Sequence, residues 1–237
     1  MTIFIISVFV IYILLKLSPY LIAFFEKEHL RHDVEPKPYD AAEWKSDYLI
    51  EQEGVAKNTG LTYCGSYFTT KGASVVRGYM LLYVTSDHLA IVSLVSARIE
   101  KTELKKVVVS SRFSDGTALT TSDGFQVPDC TKAIERQTFY RVGIPELLQS
   151  HAARLAEIGK RVDAVTPASA FRLYEDLEYQ RGIRLVAMGL ARWTDPAQTK
   201  ARRTIKGVFA TVKANNQEKN AVVQRESRKR EQAAPAS

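Results

Sequence analysis

The tripeptide Ser-Asp-Gly occurs twice in "SRFSDGTALTTSDGF", residues 111–125, and each copy places a carboxylate beside a hydroxyl and a glycine. Such groups could form a metal-binding loop or part of a hydrolase site. A calcium loop needs oxygen ligands at alternating positions, however, and Ala118 and Leu119 lie between the two aspartates. Asp-Gly is also the pair favoured in type I′ turns between strands. The repeat therefore predicts two turns around a short strand, and a hydrolase that uses Asp115 and Asp123 is the less favoured alternative.

The four histidines do not suggest a catalytic or metal site. His29 and His32 would share one face of a helix, but two imidazoles without a third ligand rarely hold zinc. A solvated segment is therefore expected there. His151 lies on an apolar helical stripe, which favours a hydrogen-bonded core histidine. Sequence motifs for nucleotide binding, serine hydrolysis or zinc proteolysis are absent. We therefore expect no catalytic residue, no metal and no cofactor.

The strongest signal in the chain is the apolar segment at residues 3–25, in which 16 of 23 residues are Ile, Leu, Val or Phe. As a helix it would reach about 34 Å, enough for a bilayer core of about 30 Å. It lacks a basic start and a small-residue cleavage site, so an uncleaved transmembrane anchor is predicted. Lys16 lies near its middle. That lysine either extends its ammonium toward the membrane surface or pairs with a carboxylate on another membrane helix.

Basic residues follow the predicted span but do not precede it, and they begin with Lys27 and Arg31. The positive-inside rule then places the main domain of a single-pass membrane protein in the cytoplasm. Cys64 and Cys130 are too few for a disulfide framework. In a reducing compartment both are expected as thiols, although a single disulfide remains open.

The basic excess of the chain lies at its C-terminal end. The formal net charge is +7, and residues 1–191 contain equal numbers of basic and acidic residues. Asp195-Pro196 predicts the start of a basic amphipathic helix. Such a helix could lie on anionic lipid, bind nucleic acid or pack against the domain. Nucleic acid is the least favoured partner, because aromatic residues are sparse in this segment. The candidate residues for lipid or protein contact are Lys200, Arg202, Arg203, Lys206, Phe209 and Lys213.

The middle of the chain changes from a helical to a strand-like pattern. A short helix is predicted over about 40–57, and short β-branched or aromatic runs separated by polar turns follow between 61 and 142. Pro145 then opens an amphipathic helix whose apolar residues recur at helical spacing. Thr166-Pro167 predicts the start of a second helix.

Six or seven strands closed by one amphipathic helix are the element order of pleckstrin-homology and GRAM-like domains. The stretch "GYMLLYVTSDHLAIVSLVSARIEKTELKKVVVSS" resembles such domains in its rhythm of strands and polar turns. The resemblance covers residues 61–160. The closing helix has His151 and Leu155 where the family carries its hallmark tryptophan. The chain also looks like small, uncharacterised bacterial proteins with one N-terminal span. Neither likeness carries a catalytic residue to this sequence.

These patterns together predict an α+β protein. Its parts are a transmembrane anchor at 1–25, a linker with a short helix at 26–60, a β-rich domain at 61–162, helices at 163–214 and a disordered basic tail at 215–237. The β-rich domain is expected to be an antiparallel barrel or curved sheet. The predicted function is a membrane-anchored, non-catalytic binding or scaffold protein with a protein or lipid partner. An accessory subunit of a membrane complex is the main alternative.

Overall fold

The computed structural model describes residues 27–29, 34–40, 44, 46–71, 76–99, 102–124, 126, 129–198 and 200–233. The chain divides into two compact units, one of residues 31–181 and one that combines the residues up to Leu30 with Gly182–Ser237. Each unit contains its own β-sheet.

The larger unit contains a sheet of seven strands, whose order in the sheet is their order along the chain. All neighbours are antiparallel except β7 and β8, which are parallel. The strands are β2 (Val34–Pro36), β3 (Thr62–Lys71), β4 (Val76–Val84), β5 (Ile91–Ile99), β6 (Thr102–Arg112), β7 (Ala118–Asp123) and β8 (Ile134–Phe139). The strand-like runs predicted between residues 61 and 142 form β3 to β8.

Alternation along the strands gives this sheet two buried faces. On β4, Tyr79, Leu81 and Tyr83 enter one hydrophobic cluster, whereas Leu82 and Val84 enter a second cluster on the other face. Successive side chains of a strand point to opposite faces, so a continuous apolar run is what a sheet covered on both sides requires.

Helices cover both faces of the sheet. On the face of Tyr79 and Tyr83 lie residues of α1 (Asp47–Asn58) and α2 (Ile144–Ile158). On the other face, Ala170, Leu173 and Leu177 pack at the start of α3 (Ala170–Ala187). The predicted short helix and closing helix are thus confirmed, although α1 begins after Ser46 and not near residue 40.

The Ser-Asp-Gly repeat flanks a short strand, as predicted. The first copy forms the β6–β7 hairpin, closed by a bond from Phe113 N to Thr117 O at 2.8 Å. Gly116 has φ +76°, whereas Asp115 is not among the residues with positive φ. This is a three-residue hairpin loop with glycine in the left-handed position, not the type I′ turn expected. The second copy ends β7 and leads into the segment before β8.

The predicted antiparallel barrel or curved sheet is corrected: the sheet is open and mixed. β8 runs parallel to β7 with Ala118 opposite Ile134, so the chain must return to the level of Ala118 before β8 begins. A parallel neighbour needs such a return connection, whereas a hairpin turn would have continued the antiparallel order. β2 and β8 therefore form the two edges of the sheet.

The smaller unit has a three-stranded antiparallel sheet in the order β1-β10-β9. Its elements are β1 (Lys27–His29), β9 (Ala191–Trp193), β10 (Lys200–Arg203) and α4 (Ile205–Ala233). Asp195-Pro196 lies in the turn between two strands, so the helix predicted to begin there begins instead at Ile205. The helix runs to Ala233, through most of the segment for which disorder was predicted.

The predicted transmembrane helix, and with it the single-pass topology and membrane location, is corrected. Among the helices of the described residues, none combines the length and apolar character needed to cross a bilayer. α3 and α4 are long, but charged residues such as Arg172, Asp176 and Lys213 interrupt their apolar positions. The predicted span at 3–25, with Lys16, lies outside the described residues.

Candidate binding surface

The first three turns of α4 carry two different apolar stripes. Val208, Thr211 and Val212 are buried. Ile205 and Phe209, one turn apart, are 68 % and 60 % exposed. Helical spacing in the sequence groups Ile205, Val208, Phe209 and Val212 on one side of the helix, and the structure divides them. Ile205 and Phe209 therefore form an outward apolar pair, which we call the α4 pair.

Basic residues flank the α4 pair. Lys206 and Lys213 are exposed on the same helix, and Lys200 is exposed on β10. Arg202 is half-buried, and Arg203 is only 5 % exposed. The structure thus brings Lys206, Phe209 and Lys213 together on one helix. It corrects the helical placement of Lys200, Arg202 and Arg203, which lie on a strand.

Local hydrogen bonds fix the start of α4 against the preceding turn. The Thr204 hydroxyl donates to Gly189 O at 2.8 Å and accepts from Gly207 N at 3.1 Å, as an N-cap side chain does. Thr204 N donates to Leu190 O at 2.9 Å. A Cβ on Gly207 would overlap the Leu190 carbonyl oxygen, so glycine permits this close approach. The α4 pair is therefore presented by a rigid helix start.

Asp115 and Asp123 do not share a site. They lie at opposite ends of β7, beyond the reach of one reacting group. Asp115 accepts hydrogen bonds from Lys160 Nζ and Thr117 N, which hold the pKa of its carboxyl well below the ordinary value. Asp123 Oδ1 accepts from Arg141 N at 3.1 Å. The Asp115 carboxylate stabilises the β6–β7 turn, and the Asp123 carboxylate binds the backbone just after β8. Both therefore have a structural role.

His151 is a hydrogen-bonded core histidine, as predicted, and is 2 % exposed. Ser111 Oγ donates to Leu89 O at 2.6 Å and lies 2.9 Å from His151 Nε2, so Nε2 carries the proton. Thr121 Oγ1 lies 2.9 Å from His151 Nδ1 and 3.2 Å from Gln137 Oε1. Burial lowers the pKa of the imidazole to about 4. The ring is therefore neutral and fastens α2 to β6 and β7.

A solvent-open groove of about 240 Å³ lies in the larger unit. Arg112 and Asp176 line it together with Asp163 and Arg172. Arg112 Nε is 2.9 Å from Asp163 Oδ2, and Arg112 Nη1 is 3.7 Å from Asp176 Oδ2. Because these charges already pair with one another, the groove offers little to attract a charged ligand.

The remaining sequence candidates do not form a site in the described part of the chain. No group of three metal-ligating side chains is found there. His29 lies on β1 and not on the helix that would have paired it with His32, which is outside the described residues. Cys64 and Cys130 do not form a disulfide, and burial raises the pKa of Cys64 to about 11.

Sequence reasoning missed two features that the fold assembles. The sequence does not show which apolar residues at the start of α4 are buried, and only the packing of Val208 and Val212 leaves Ile205 exposed. Nor does it predict the burial of Trp44, which is 7 % exposed and packs against Phe68 and Tyr79. The aromatic content of β3 and β4 was the available signal for that cluster.

Comparison of the chain with protein-family models, with curated proteins and with solved structures found no match. The likeness to pleckstrin-homology and GRAM-like domains therefore stays a prediction from strand rhythm, and the function must be argued from the residues of this chain.

Proposed function

We propose that this chain is a non-catalytic binding protein that engages an acidic, amphipathic helix of a protein partner through the start of α4. The observation that carries the proposal is the α4 pair: Ile205 and Phe209 are mostly exposed on a fixed helix, with Lys206 and Lys213 beside them. The binding surface is defined as these four residues.

The apolar part of the binding surface favours a helical partner. Residues four apart lie on the same face of a helix, so Ile205 and Phe209 form a short ridge. An amphipathic helix covers such a ridge with its own residues at three- and four-residue spacing. Burial of apolar area stabilises a complex by about 25 cal/mol per Å² before the costs of association are subtracted. Two large side chains can therefore anchor a weak to moderate interaction.

The charge of this region favours an acidic partner. The sequence contains no Asp or Glu from 196 to 217, whereas five Lys or Arg residues occur in that interval. Opposite charges at the rim of an interface mainly increase the association rate and the selectivity. Anionic lipid and nucleic acid are also negatively charged, but the fixed apolar ridge is better matched by a folded helix with its own apolar stripe.

The proposal can be tested with synthetic peptides of about 20 residues, long enough to form a marginally stable helix. One peptide carries Leu at helical spacing and Glu on the other positions, and a scrambled peptide has the same composition. We expect the first to bind the full chain, measured by fluorescence anisotropy, and Ile205→Ser/Phe209→Ser to weaken it about tenfold or more. Ile50→Ser/Tyr140→Ser is the matched control, because Ile50 and Tyr140 are exposed apolar residues elsewhere.

Three results would contradict the proposal. The scrambled peptide could bind as tightly as the amphipathic one, the double substitution in the α4 pair could leave affinity unchanged, or the acidic helix could fail to bind at all. Binding to anionic vesicles or duplex DNA that is tighter than peptide binding and is lost in the same double variant would assign the surface to a different class of partner.

A further inference from the structure

The groove in the larger unit brings side chains of both charges together and involves none of the residues of the binding surface. Arg112 ends β6, Asp163 lies in the connection between α2 and α3, and Arg172 and Asp176 lie one turn apart on α3. The volume of the groove is about 240 Å³. A cavity of about 150 Å³ can hold a benzene molecule, so this groove can accommodate a small organic ligand.

Hydrogen bonds hold the connection between α2 and α3 in place along the groove. Asp163 N donates to Arg112 O at 2.8 Å, and Val165 N donates to His88 O at 2.8 Å. His88 Nδ1 also lies 3.0 Å from Val165 O. These contacts attach the connection to the end of β6 and to the turn after β4. The walls are therefore ordered before a ligand arrives, which lowers the entropic cost of binding.

The charged side chains of the groove keep hydrogen-bonding capacity that their ion pairs do not use. Arg112 donates from Nε to Asp163 Oδ2 at 2.9 Å, whereas its Nη1 is 3.7 Å from Asp176 Oδ2. Arg172 Nε is 3.9 Å from the same Asp176 oxygen. Both of the longer distances exceed the hydrogen-bond range of about 2.7–3.2 Å. Within the described part of the chain, Asp176 thus attracts two guanidinium groups without accepting a hydrogen bond from either.

This arrangement favours a ligand that carries both signs of charge. Two arginines and two aspartates give the lining no net charge. A ligand with a single charge is attracted by one pair of side chains and repelled by the other, so it gains little. A zwitterion avoids this conflict when its cationic end faces an aspartate and its anionic end faces an arginine.

We infer that the groove binds a free α-amino acid with a small apolar side chain. The ammonium group of the ligand donates to Asp176, and its carboxylate accepts from Arg172 and from the terminal nitrogens of Arg112. Val165 and Leu173, which are 2 % and 6 % exposed, supply the apolar part of the lining that the ligand side chain covers. The side chains of Arg112 and Asp176 are each 36 % exposed, so solvent weakens the ionic contacts and the affinity is in the millimolar range.

The test uses the full chain and ligand-observed NMR, with saturation transfer titrated against ligand concentration. The three ligands are L-valine, isobutylamine and isovalerate. Isobutylamine is valine without its carboxylate, and isovalerate is valine without its ammonium group. We expect valine to bind at least about tenfold more tightly than either analogue, because only valine makes charge-assisted hydrogen bonds to both kinds of side chain.

Two substitutions should change the ligand preference in opposite directions. Asp176→Asn leaves the arginines in excess, so valine should bind about tenfold more weakly and isovalerate more tightly. Arg172→Gln leaves the aspartates in excess, so valine should again bind more weakly but isobutylamine should bind more tightly. Arg154→Gln is the matched control, because Arg154 forms ion pairs with Glu135 and Glu157 outside the groove.

The opposite shifts separate a binding role from a structural one, since a damaged fold would weaken all three ligands alike. The comparison of the three ligands on the wild-type chain does not depend on any variant. The inference is overturned if valine shows no saturation transfer or binds no more tightly than both analogues. It is also overturned if Arg154→Gln lowers valine affinity as much as Arg172→Gln does.

Discussion

His151 shows how one buried residue connects a helix to two strands. Its two ring nitrogens contact Ser111 of β6 and Thr121 of β7, while the residue itself belongs to α2. Because the Ser111 proton is used on Leu89 O, His151 Nε2 carries the proton between these two side chains. Burial disfavours a second proton on this ring.

The stability of the chain should therefore depend on the protonation of His151. The pKa of this imidazole is about 4 in the folded state against an ordinary value of 6.5, so the unfolded chain binds the proton more tightly. The free energy of unfolding is then fully present above pH 6.5 and decreases as the pH falls toward 4. Between pH 7 and pH 5 we expect a loss of about 2 kcal/mol, measured by denaturant unfolding.

Two substitutions separate this effect from general acid sensitivity. His151→Gln should be less stable at pH 7 but should show a much flatter dependence between pH 7 and pH 5. His88→Gln is the control, since it replaces an exposed histidine outside the core. If His151→Gln retained the full slope, another group would be responsible.

The sequence could predict the burial of His151 but not its partners. Its position four residues after Leu147 on an apolar stripe was sufficient to place it in the core. Ser111 and Thr121 stand 40 and 30 residues away from it along the chain, and only the pairing of β6 with β7 brings them together. Side-chain networks of this kind depend on strand register, which residue types alone do not fix.

At the scale of elements, Ser46 begins α1 and also connects it to the sheet. Its hydroxyl accepts from Leu49 N at 3.4 Å and donates to Glu103 Oε1 at 2.8 Å. Burial alone would raise the pKa of Glu103, but hydrogen bonds from Ser96, Ser46 and Lys105 outweigh it and lower the pKa. The Ser46 hydroxyl therefore caps α1 and also stabilises the ionised form of Glu103.

Substitution of Ser46 should separate capping from this contact. Ser46→Ala is expected to cost about 1–2 kcal/mol of unfolding free energy, since it removes the cap and a donor to Glu103. Aspartate is normally as good an N-cap as serine, but Ser46→Asp would place a second carboxylate beside Glu103 and should not restore stability. Ser46→Thr should be close to wild type. Recovery in Ser46→Asp, measured by urea unfolding, would show that the contact with Glu103 contributes nothing.

Two glycines within helices should respond oppositely to alanine. Gly54 of α1 has open space around the position of a Cβ, so Gly54→Ala should stabilise the chain by about 0.5–1 kcal/mol. Gly207 of α4 lies against the Leu190 backbone, so Gly207→Ala must shift the helix start and should cost about 2–3 kcal/mol. Thermal unfolding compares the pair directly. Equal effects of the two substitutions would mean that α4 does not approach Leu190 so closely.

The sequence predicts strands where a residue pattern repeats. It does not predict strands that form only because they pair with residues far away in the chain. The β-branched runs of β4 to β6 predict strands because each strand is long and buried. The segment "KARR" of β10 has little intrinsic strand preference, and it is extended because Ala201 and Arg202 pair with residues of both β9 and β1. Likewise, the residue types of β8 do not show that this strand runs parallel to β7.

At the scale of the whole molecule, the sequence predicted charge distribution better than architecture. The excess of basic residues at the C-terminal end belongs to the smaller unit, and residues 1–191 carry no net charge. That balance does not reveal that β1, near the N-terminal end, pairs with β10. Nor does it reveal that both hydrophobic clusters are built from residues 44–177. The two units are defined by contacts in space, and the smaller unit combines segments from both ends of the chain.

The larger unit should therefore fold without the rest of the chain. Its seven-stranded sheet and its two hydrophobic clusters use residues from 31–181 only, and the binding surface lies outside it. A fragment of residues 31–187, which keeps α3 whole, should show one cooperative unfolding transition and the same pH dependence from His151 as the full chain. A fragment that bound hydrophobic dye and unfolded without a cooperative transition would show that the sheet needs the residues of the smaller unit. A cooperative fragment should also fail to bind the acidic helix, since it lacks Ile205 and Phe209.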